Sequence, residues 1–447
     1  MQLIFKPQDK PKLGQVIVFA FQQLLAIMAA TLVVPVIIGN GMQPAAALFG
    51  AGVGTLVYVL FTKGKSPVFL GSSFAFLGSM AAAFAGGVSM AVGYLGLILG
   101  AIMAGLVYVV IAIAVKFAGV NWLNKLMPAA VIGPTVAIIG LSLAGNAIGD
   151  LQKSGANTEA NIHLCILCGL VTLAVTTLCS TFGKKMIKMI PFIIGILCGY
   201  LVALIFTVIG IATKNPALQI ISFAPFTALV EGGVGLQTFF TLPKFTFLTA
   251  LGGFKEITAQ YIGSIAAAYI PVAFVVFAEH VADHKNISSI IEQDLLEDPG
   301  LSRTLLGDGV GSMVGAVFGG CPNTTYGESV ACVAISGNAS VVTIIAAAIG
   351  AILIAFLAPF VAFVNSIPSC VMGGVCVALY GFIAVSGLKM VQKVDLEENR
   401  NLFTVSTILI CGIGGLSLTF GQITITSIAT ALILGILMNL MLSKKKA

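Results

Sequence analysis

The sequence predicts an all-α polytopic membrane protein, and three observations lead to this fold class. First, 58% of the 447 residues are apolar and only 9% are charged, whereas a soluble domain carries about 25% charged residues. Second, apolar runs of roughly 20 residues, each long enough to cross about 30 Å of hydrocarbon, recur from end to end. Third, the lysines and arginines between these runs fall mostly on one side of the predicted membrane.

The apolar runs divide into fourteen predicted membrane segments, of which the third and tenth are too short to be complete helices. The first run continues through Pro35 and Asn40, so we interpret it as a retained helix rather than a cleaved signal peptide. The predicted segments are 14–38, 45–61, 68–83, 91–114, 127–147, 162–182, 189–212, 258–282, 303–319, 324–336, 339–363, 368–387, 401–420 and 423–442.

The positions of the basic residues test both the number of segments and their direction. With a cytoplasmic N-terminus, 18 of the 22 lysines and arginines fall on the cytoplasmic side, including Lys185 and the C-terminal Lys444, Lys445 and Lys446. A segment missed early would invert every later loop, so this asymmetry predicts that both termini are cytoplasmic. The net charge of +6 is attributed to topology and not to a nucleic-acid partner. The four exceptions are Lys153, Lys214, Lys244 and Lys255.

Two weak similarities indicate an internal repeat. Residues 127–140 (MPAAVIGPTVAIIG) resemble 367–381 (IPSCVMGGVCVALYG), and residues 72–76 (SSFAF) resemble 324–328 (TTYGE). Chance similarity between apolar, glycine-rich stretches is the alternative, but both pairs keep their order. The serial numbers of the paired segments differ by seven. Because seven is odd, the two halves run through the membrane in opposite directions. Short, interrupted segments at matching positions of inverted repeats point to a substrate site, here between segments 3 and 10.

Acidic residues within membrane segments are costly and are therefore functional candidates. Glu279, Asp283 and Glu328 are the main ones, and Asp308 lies nearer a segment end. Glu279 and Asp283 are four residues apart, on one helix face. Two acids at that spacing disfavour joint ionisation, which favours holding a proton. The alternatives are a solvated Asp283 at the cytoplasmic mouth and buried glutamates bonded to a neighbouring helix.

Catalytic and metal-binding patterns are weak in this sequence. His280 and His284 share a helix face, but Glu279 is turned about 100° away from them, which disfavours a metal site. Cys165 and Cys168 form a C-x-x-C inside an apolar run, where packing is the favoured interpretation. We therefore predict neither an enzyme nor a cofactor.

Three stretches resemble the nucleobase–ascorbate transporter family, also called nucleobase–cation symporter 2, and within it the bacterial uracil permeases. They are AEHVADHKNISSIIEQDLLEDPGLSRTLLGDGVGS from Ala278, FGGCPNTTYGES from Phe318 and SIPSCVMGGVCVALYGFIAVSG from Ser366. The NTTYGE portion is typical of the uracil branch, and LVVPV and LGSSFAF in the first half agree. The resemblance covers nearly the whole chain.

The resemblance implies a fold of two inverted seven-segment repeats with a short antiparallel strand in each of segments 3 and 10. A core domain would comprise residues 1–120 (segments 1–4) and 246–365 (segments 8–11). A gate domain would comprise residues 121–245 (segments 5–7) and 366–447 (segments 12–14). Family members pair through the gate domain, so a homodimer in the cell membrane is implied.

The resemblance also implies a uracil site. Glu279 and Glu328 would accept hydrogen bonds from the ring N–H groups, and the backbone N–H groups of Phe74 and Gly327 would donate to the carbonyl oxygens. This agrees with the chemistry of uracil, which presents two donors and two acceptors and needs no cationic partner. The side chains implied to pack around the ring are Ala30, Tyr326 and Tyr380.

Departures from the family pattern leave alternatives open. The family often has His at the position of Asp283, and in this sequence His284 comes one residue later. We therefore expect Asp283 and His284 to share the proton path with Glu279. Sodium coupling stays an alternative to proton coupling. Glu328 favours uracil, but Ser336 and other departures keep a xanthine or purine permease as an alternative. An anion exchanger or channel of the same inverted fold is the alternative from another class, and the site carboxylates argue against it.

Overall fold

The computed structural model describes residues 3–119, 121–184, 186–420 and 423–443, so Lys185 and the lysines at 444–446 lie outside the described residues. Most of the described chain is helical. The helices before the long central loop are α1 (Leu13–Ile38), α2 (Pro44–Phe61), α3 (Leu77–Ala83), α4 (Met90–Ala118), α5 (Asn121–Leu126), α6 (Ala129–Ser142), α7 (Ala144–Leu151), α8 (Ile162–Phe182), α9 (Met186–Met189) and α10 (Pro191–Ala212).

The second half of the chain repeats this pattern of long helices with short ones between them. Its helices are α11 (Ala224–Thr227), α12 (Leu236–Phe239), α13 (Thr246–Ala250), α14 (Ala259–Ile291), α15 (Leu301–Gly319), α16 (Gly327–Ser336), α17 (Val341–Ile354), α18 (Ala358–Ser366), α19 (Ser369–Val391), α20 (Asn399–Ile413) and α21 (Ser427–Met441). The strands are β1 (Leu70–Ser72), β2 (Asn323–Thr325), β3 (Leu418–Phe420) and β4 (Ile423–Ile425).

The predicted multi-pass helical architecture is confirmed in its coarse form. Within the described residues, eight helical stretches are long and apolar enough to cross a membrane: α1, α2, α4, α6 with α7, α8, α10, α14 and α19. Shorter apolar helices include α16, α17 and α21. Helix length alone therefore identifies eight spans.

Helix α14 is longer than predicted. The predicted segment ended at residue 282, but the helix continues to Ile291 and ends with Glu292 in a left-handed conformation. Ile287 and Ile291 are buried in one apolar cluster with Leu70, so packing extends the helix past its polar stretch. Asp283 consequently lies within the helix and not after its end.

Two other predicted segments are interrupted. The segment 339–363 divides into α17 and α18, because Pro359 stands in the first turn of α18 and cannot continue a preceding helix. The carbonyl of Phe356 in the break accepts a hydrogen bond from the N–H of Thr241 at 2.9 Å. The segment 127–147 is divided at Leu143 into α6 and α7.

The last two predicted segments, 401–420 and 423–442, are shorter in the structure. Helix α20 ends at Ile413, and Gly415 follows with φ of +74°, a conformation that glycine adopts without a steric penalty. The antiparallel strands β3 and β4 occupy the space between α20 and α21. Their alternating threonine, isoleucine and phenylalanine residues suit a strand better than a helix.

The helices pack as two groups. One group contains α1, α2, α4, α14, α15 and α17, and the other contains α6, α8, α10, α19, α20 and α21. Helices α2 and α15 approach closely because small residues face each other: a Cβ added to Gly50 would meet the backbone of Gly315, and one added to Gly54 would meet Gly311. Such small-residue contacts are the usual basis of close helix packing in membranes.

Candidate substrate site

The strands β1 and β2 form a two-stranded antiparallel ladder in the interior of the bundle, with Gly71 opposite Thr324. Every residue of both strands is buried. Their outer edges are bonded to helix α2, because the N–H of Leu70 donates to Thr55 Oγ1 at 3.0 Å and Asn323 Nδ2 donates to the Gly50 carbonyl at 3.0 Å. Non-helical backbone at membrane depth needs such partners.

Tyr326 fixes the approach of the two strands. Its hydroxyl donates to the carbonyl of Ser72 at 2.6 Å, and a Cβ added to Gly71 would overlap its ring. Only glycine at position 71 leaves space for this ring. Tyr326 is 4% exposed and does not line the cavity described below.

Each strand is followed by a helical turn whose first residue has a free backbone donor. Phe74 begins a 3₁₀ turn that leads into α3, and Gly327 begins α16. Neither N–H group donates a hydrogen bond to any other described residue. The first N–H groups of a helix have no partner inside the helix, so both are free for a ligand.

Three carboxylates face the same space as these donors. A cavity of about 440 Å³, which we call the substrate cavity, is lined by Glu279, Asp283 and Glu328 together with Phe74 and Gly327. The Glu279 side chain is exposed to this cavity. The structure thus brings together five of the residues singled out from the sequence.

The position of Asp283 is fixed by a partner on β2. Thr325 Oγ1 donates to Asp283 Oδ2 at 2.8 Å. The orientation of one acid of the α14 pair is thereby connected to the strand that precedes Gly327. A ligand that moved β2 would also move Asp283.

The substrate cavity continues to one end of the bundle, where it is lined by Lys188, Ser386 and Met390. Sequence reasoning found no cation near the site and missed Lys188. This lysine precedes α10 in a short helix, so its approach to the cavity depends on tertiary packing. Hydropathy carries no signal of that kind.

A second space, which we call the opposite cavity, lies on the other side of Phe74. It has a volume of about 480 Å³ and is lined by Phe74, Asn40, Ser142 and Thr426 among others. Phe74 lines both cavities, and its ring centroid lies 6.3 Å from that of Tyr380 on α19 in an edge-on arrangement. Phe74 therefore forms part of the wall between the two spaces, and Tyr380 packs against it.

Four residues named from the sequence do not line the substrate cavity: Ala30, Tyr326, Tyr380 and His284. Ala30 is 1% exposed and packs in an apolar cluster, whereas Ala26, one turn earlier, lines the cavity. Tyr380 is 3% exposed and contacts Phe74, whereas its neighbour Leu379 lines the cavity.

His284 lies behind the cavity wall in a buried network. Its Nδ1 is 2.8 Å from the His280 carbonyl, which can only accept, so Nδ1 carries the hydrogen. The Tyr58 hydroxyl lies 2.6 Å from Nε2 of the same ring. The Ser66 hydroxyl, 2.7 Å from Tyr58, completes this chain between α14 and the end of α2.

His280 makes a parallel connection to α15. Its Nδ1 lies 2.6 Å from Asp308 Oδ2, and its Nε2 lies 3.0 Å from Thr304 Oγ1. The two imidazole rings stack with centroids 4.0 Å apart. His280 directly follows Glu279, and His284 directly follows Asp283. Because the hydrogen bonds of the histidines fix the rotation of α14 about its axis, they also turn the two acids toward the cavity.

The donors and acceptors of the cavity define what it can bind. Carboxylates accept hydrogen bonds when ionised, and backbone N–H groups only donate. A small planar ring that presents both N–H groups and carbonyl oxygens matches both sets. Hydrogen bonds to ionised carboxylates are the stronger kind.

These features define a multi-pass helical membrane protein with an internal cavity that pairs backbone donors with carboxylates. The chain superposes on the transmembrane domain of a cyanobacterium bicarbonate transporter, BicA, with a TM-score of 0.63 at 14% identity, covering 96% of this chain and 97% of that one. At that identity the likeness concerns the fold alone.

The chain belongs to the permease family of xanthine and uracil permeases, whose family model matches residues 14–420. It is 38% identical over 97% of its length to the uracil permease of Bacillus caldolyticus, covering 94% of that protein. It is 36% identical over 98% of its length to the uracil permease of Bacillus subtilis, covering 95% of that protein. The family expected from the sequence is therefore confirmed, and the protein is a transporter and not an enzyme.

Proposed function

We propose that this chain imports uracil by proton symport, with access to the site alternating between the two sides of the membrane. The observation that carries the proposal is the pairing, around one cavity, of two unbonded backbone donors, Phe74 and Gly327, with two glutamates, Glu279 and Glu328. Uracil has two carbonyl oxygens and two N–H groups to match them. The uracil permeases named above support the same substrate.

Glu279 is the proposed proton carrier. Glu279 and Asp283 stand one helical turn apart and share a cavity with Glu328, and none of the described residues makes an ion pair with any of the three. Three close carboxylates disfavour joint ionisation. A proton bound with the substrate would lower the negative charge that must move across the membrane. H⁺ is the proposed coupling ion, and Na⁺ is an outcome of the test below.

The proposed architecture has fourteen membrane segments in two inverted repeats, with both termini in the cytoplasm. The core domain comprises residues 1–120 and 246–365, and the gate domain comprises 121–245 and 366–447. With this orientation the substrate cavity, which reaches Lys188, faces the cytoplasm. Relative movement of the two domains would exchange it for the opposite cavity. Two copies would pair through the gate domain in the cell membrane.

Uptake of radiolabelled uracil into proteoliposomes tests the proposal. Uptake is measured with an inward proton gradient, with an inward sodium gradient and with neither, for the wild type and for Glu279→Gln. The matched control is Glu297→Gln, which neutralises an exposed acid that does not line the substrate cavity. Unlabelled uracil, xanthine and adenine are added as competitors.

We expect uptake that follows the proton gradient, is inhibited only by uracil and is lost in Glu279→Gln alone. Failure to take up uracil under every gradient would contradict the substrate, and inhibition by xanthine would indicate a purine permease. Uptake that follows sodium, or persists in Glu279→Gln, would leave the substrate standing and reject the proton mechanism.

A further inference from the structure

A third cavity, which we call the lysine cavity, lies beside the substrate cavity. Its volume is about 840 Å³, within the range of small-molecule sites of roughly 300–1,000 Å³. It is lined by Lys116 at the end of α4, Lys285 on α14 and Lys393 just after α19. None of the described residues that line it is acidic.

The charge of these lysines is not compensated locally. Across the described residues, none of the three makes an ion pair. The nearby acid Asp298 is already bonded to Lys65, at 2.6 Å. Three lysines that line one concave space produce a positive potential there that attracts an anion.

Backbone donors add to this potential. Helix α6 begins at Ala129 and α15 at Leu301, and the residues before them, Pro128 and Gly300, provide no side-chain cap. All four of these residues line the lysine cavity. Both helix starts contribute the positive ends of their dipoles, and α6 also contributes N–H groups, whereas the N–H of Leu301 at the start of α15 donates to the Leu296 carbonyl.

The remaining wall is apolar. Phe277 and Val281 of α14, Ile132 of α6, and Leu296 and Met390 line the space between the charged groups. A ligand that filled the cavity would therefore carry an anionic group on an apolar or aromatic body. Inorganic ions fill only the charged part.

We propose that the lysine cavity binds a phosphate-bearing ligand that holds the two groups of helices in the arrangement seen here. Lys116 and Lys285 belong to the first group, and Lys393 follows α19 of the second, so a ligand in this cavity is bordered by both groups. Ala282 and Met390 line the lysine cavity and the substrate cavity alike. Occupancy thus slows the exchange of access while leaving the uracil contacts unchanged.

Two sources supply this chemistry: the headgroup of an anionic phospholipid and a soluble phosphate ester such as a nucleotide. Thermal unfolding of the purified full chain in neutral detergent separates them. One arm compares uridine monophosphate with uridine, and the other compares phosphatidylglycerol with phosphatidylcholine, all at constant ionic strength. The test variant is Lys285→Gln/Lys393→Gln. The matched control is Lys389→Gln, an exposed lysine one turn from Lys393 that does not line the cavity.

We expect one phosphate-bearing probe to raise the unfolding temperature of the wild type and of Lys389→Gln, while its neutral counterpart does not. In the double variant the apparent Kd should weaken about tenfold or more, since tenfold corresponds to only about 1.4 kcal/mol. Stabilisation by the nucleotide or by the lipid identifies the source. The proposal is overturned if neither probe acts, if the double variant responds like the wild type, or if Lys389→Gln loses the response equally.

Discussion

Replacing Glu328 by glutamine is the sharpest single perturbation of the substrate cavity. Glu328 stands in the first turn of α16, directly after the free N–H of Gly327, and is only partly exposed. Glutamine keeps the shape of the side chain and still offers a carbonyl oxygen. It removes the charge and replaces one of the two acceptor oxygens with an NH₂ group.

The size of the effect follows from that difference. A hydrogen bond to a charged group contributes about 1.5–3 kcal/mol and one between neutral groups about 0.5–1.5 kcal/mol. Losing the charge therefore costs roughly 1–1.5 kcal/mol, or about a tenfold weaker Kd for uracil. Glu328→Leu removes the acceptor altogether. Its Kd for uracil should be weaker than that of the wild type by roughly 10- to 150-fold.

Equilibrium binding of radiolabelled uracil to the purified protein measures both variants, with Glu297→Gln as the control. The charge of Glu328 also stabilises the N-terminus of α16 by about 0.3–1 kcal/mol, so the unfolding temperature is recorded in parallel. A Kd within twofold of the wild type for both Glu328 variants would refute the assignment. Equal weakening in Glu297→Gln would show that the effect is general electrostatics.

Three further predictions concern the frame of the site. Gly71→Ala places a methyl group where the ring of Tyr326 lies. This overpacking should destabilise the protein by about 1–3 kcal/mol and so lower both the unfolding temperature and the affinity for uracil. An unchanged unfolding temperature would contradict this prediction. Tyr58→Phe removes the hydroxyl that donates to Ser66 and lies 2.6 Å from His284 Nε2 and should cost about 1–3 kcal/mol of stability with uracil Kd unchanged; a tenfold loss of affinity in stable protein would place His284 in the binding site. Phe74→Ala removes part of the wall between the two cavities and should raise uracil-independent proton leak in proteoliposomes, whereas a wild-type leak rate would show that other residues close the path.

The acids could be singled out from the sequence because charge inside an apolar run is conspicuous. Glu279, Asp283 and Glu328 share one cavity, as the spacing on α14 and the broken tenth segment indicated. The approach of Lys188 to the cavity and the contacts that Tyr326 makes with β1 were beyond this reasoning. The position of each depends on a contact with a distant part of the chain, such as the bond from Tyr326 to the Ser72 carbonyl.

Helix ends were predicted less well than helix positions, for a related reason. Hydropathy reports where the chain can lie in lipid, but a helix continues as long as packing supports it. Ile287 and Ile291 carry α14 beyond its apolar part. Conversely, Pro359 and the glycines after α20 end helices within runs that are uniformly apolar.

The ladder between β1 and β2 also constrains how the protein is made. Residues 70–72 leave the ribosome long before their partners at 323–325, and in hydrocarbon no water replaces a missing partner strand. We therefore expect segment 3 to remain in contact with water or the membrane interface until the second half of the chain has been synthesised. A nascent chain arrested before residue 323 should expose this segment to proteases and to the insertion machinery, and release past that point should close the core in one late step.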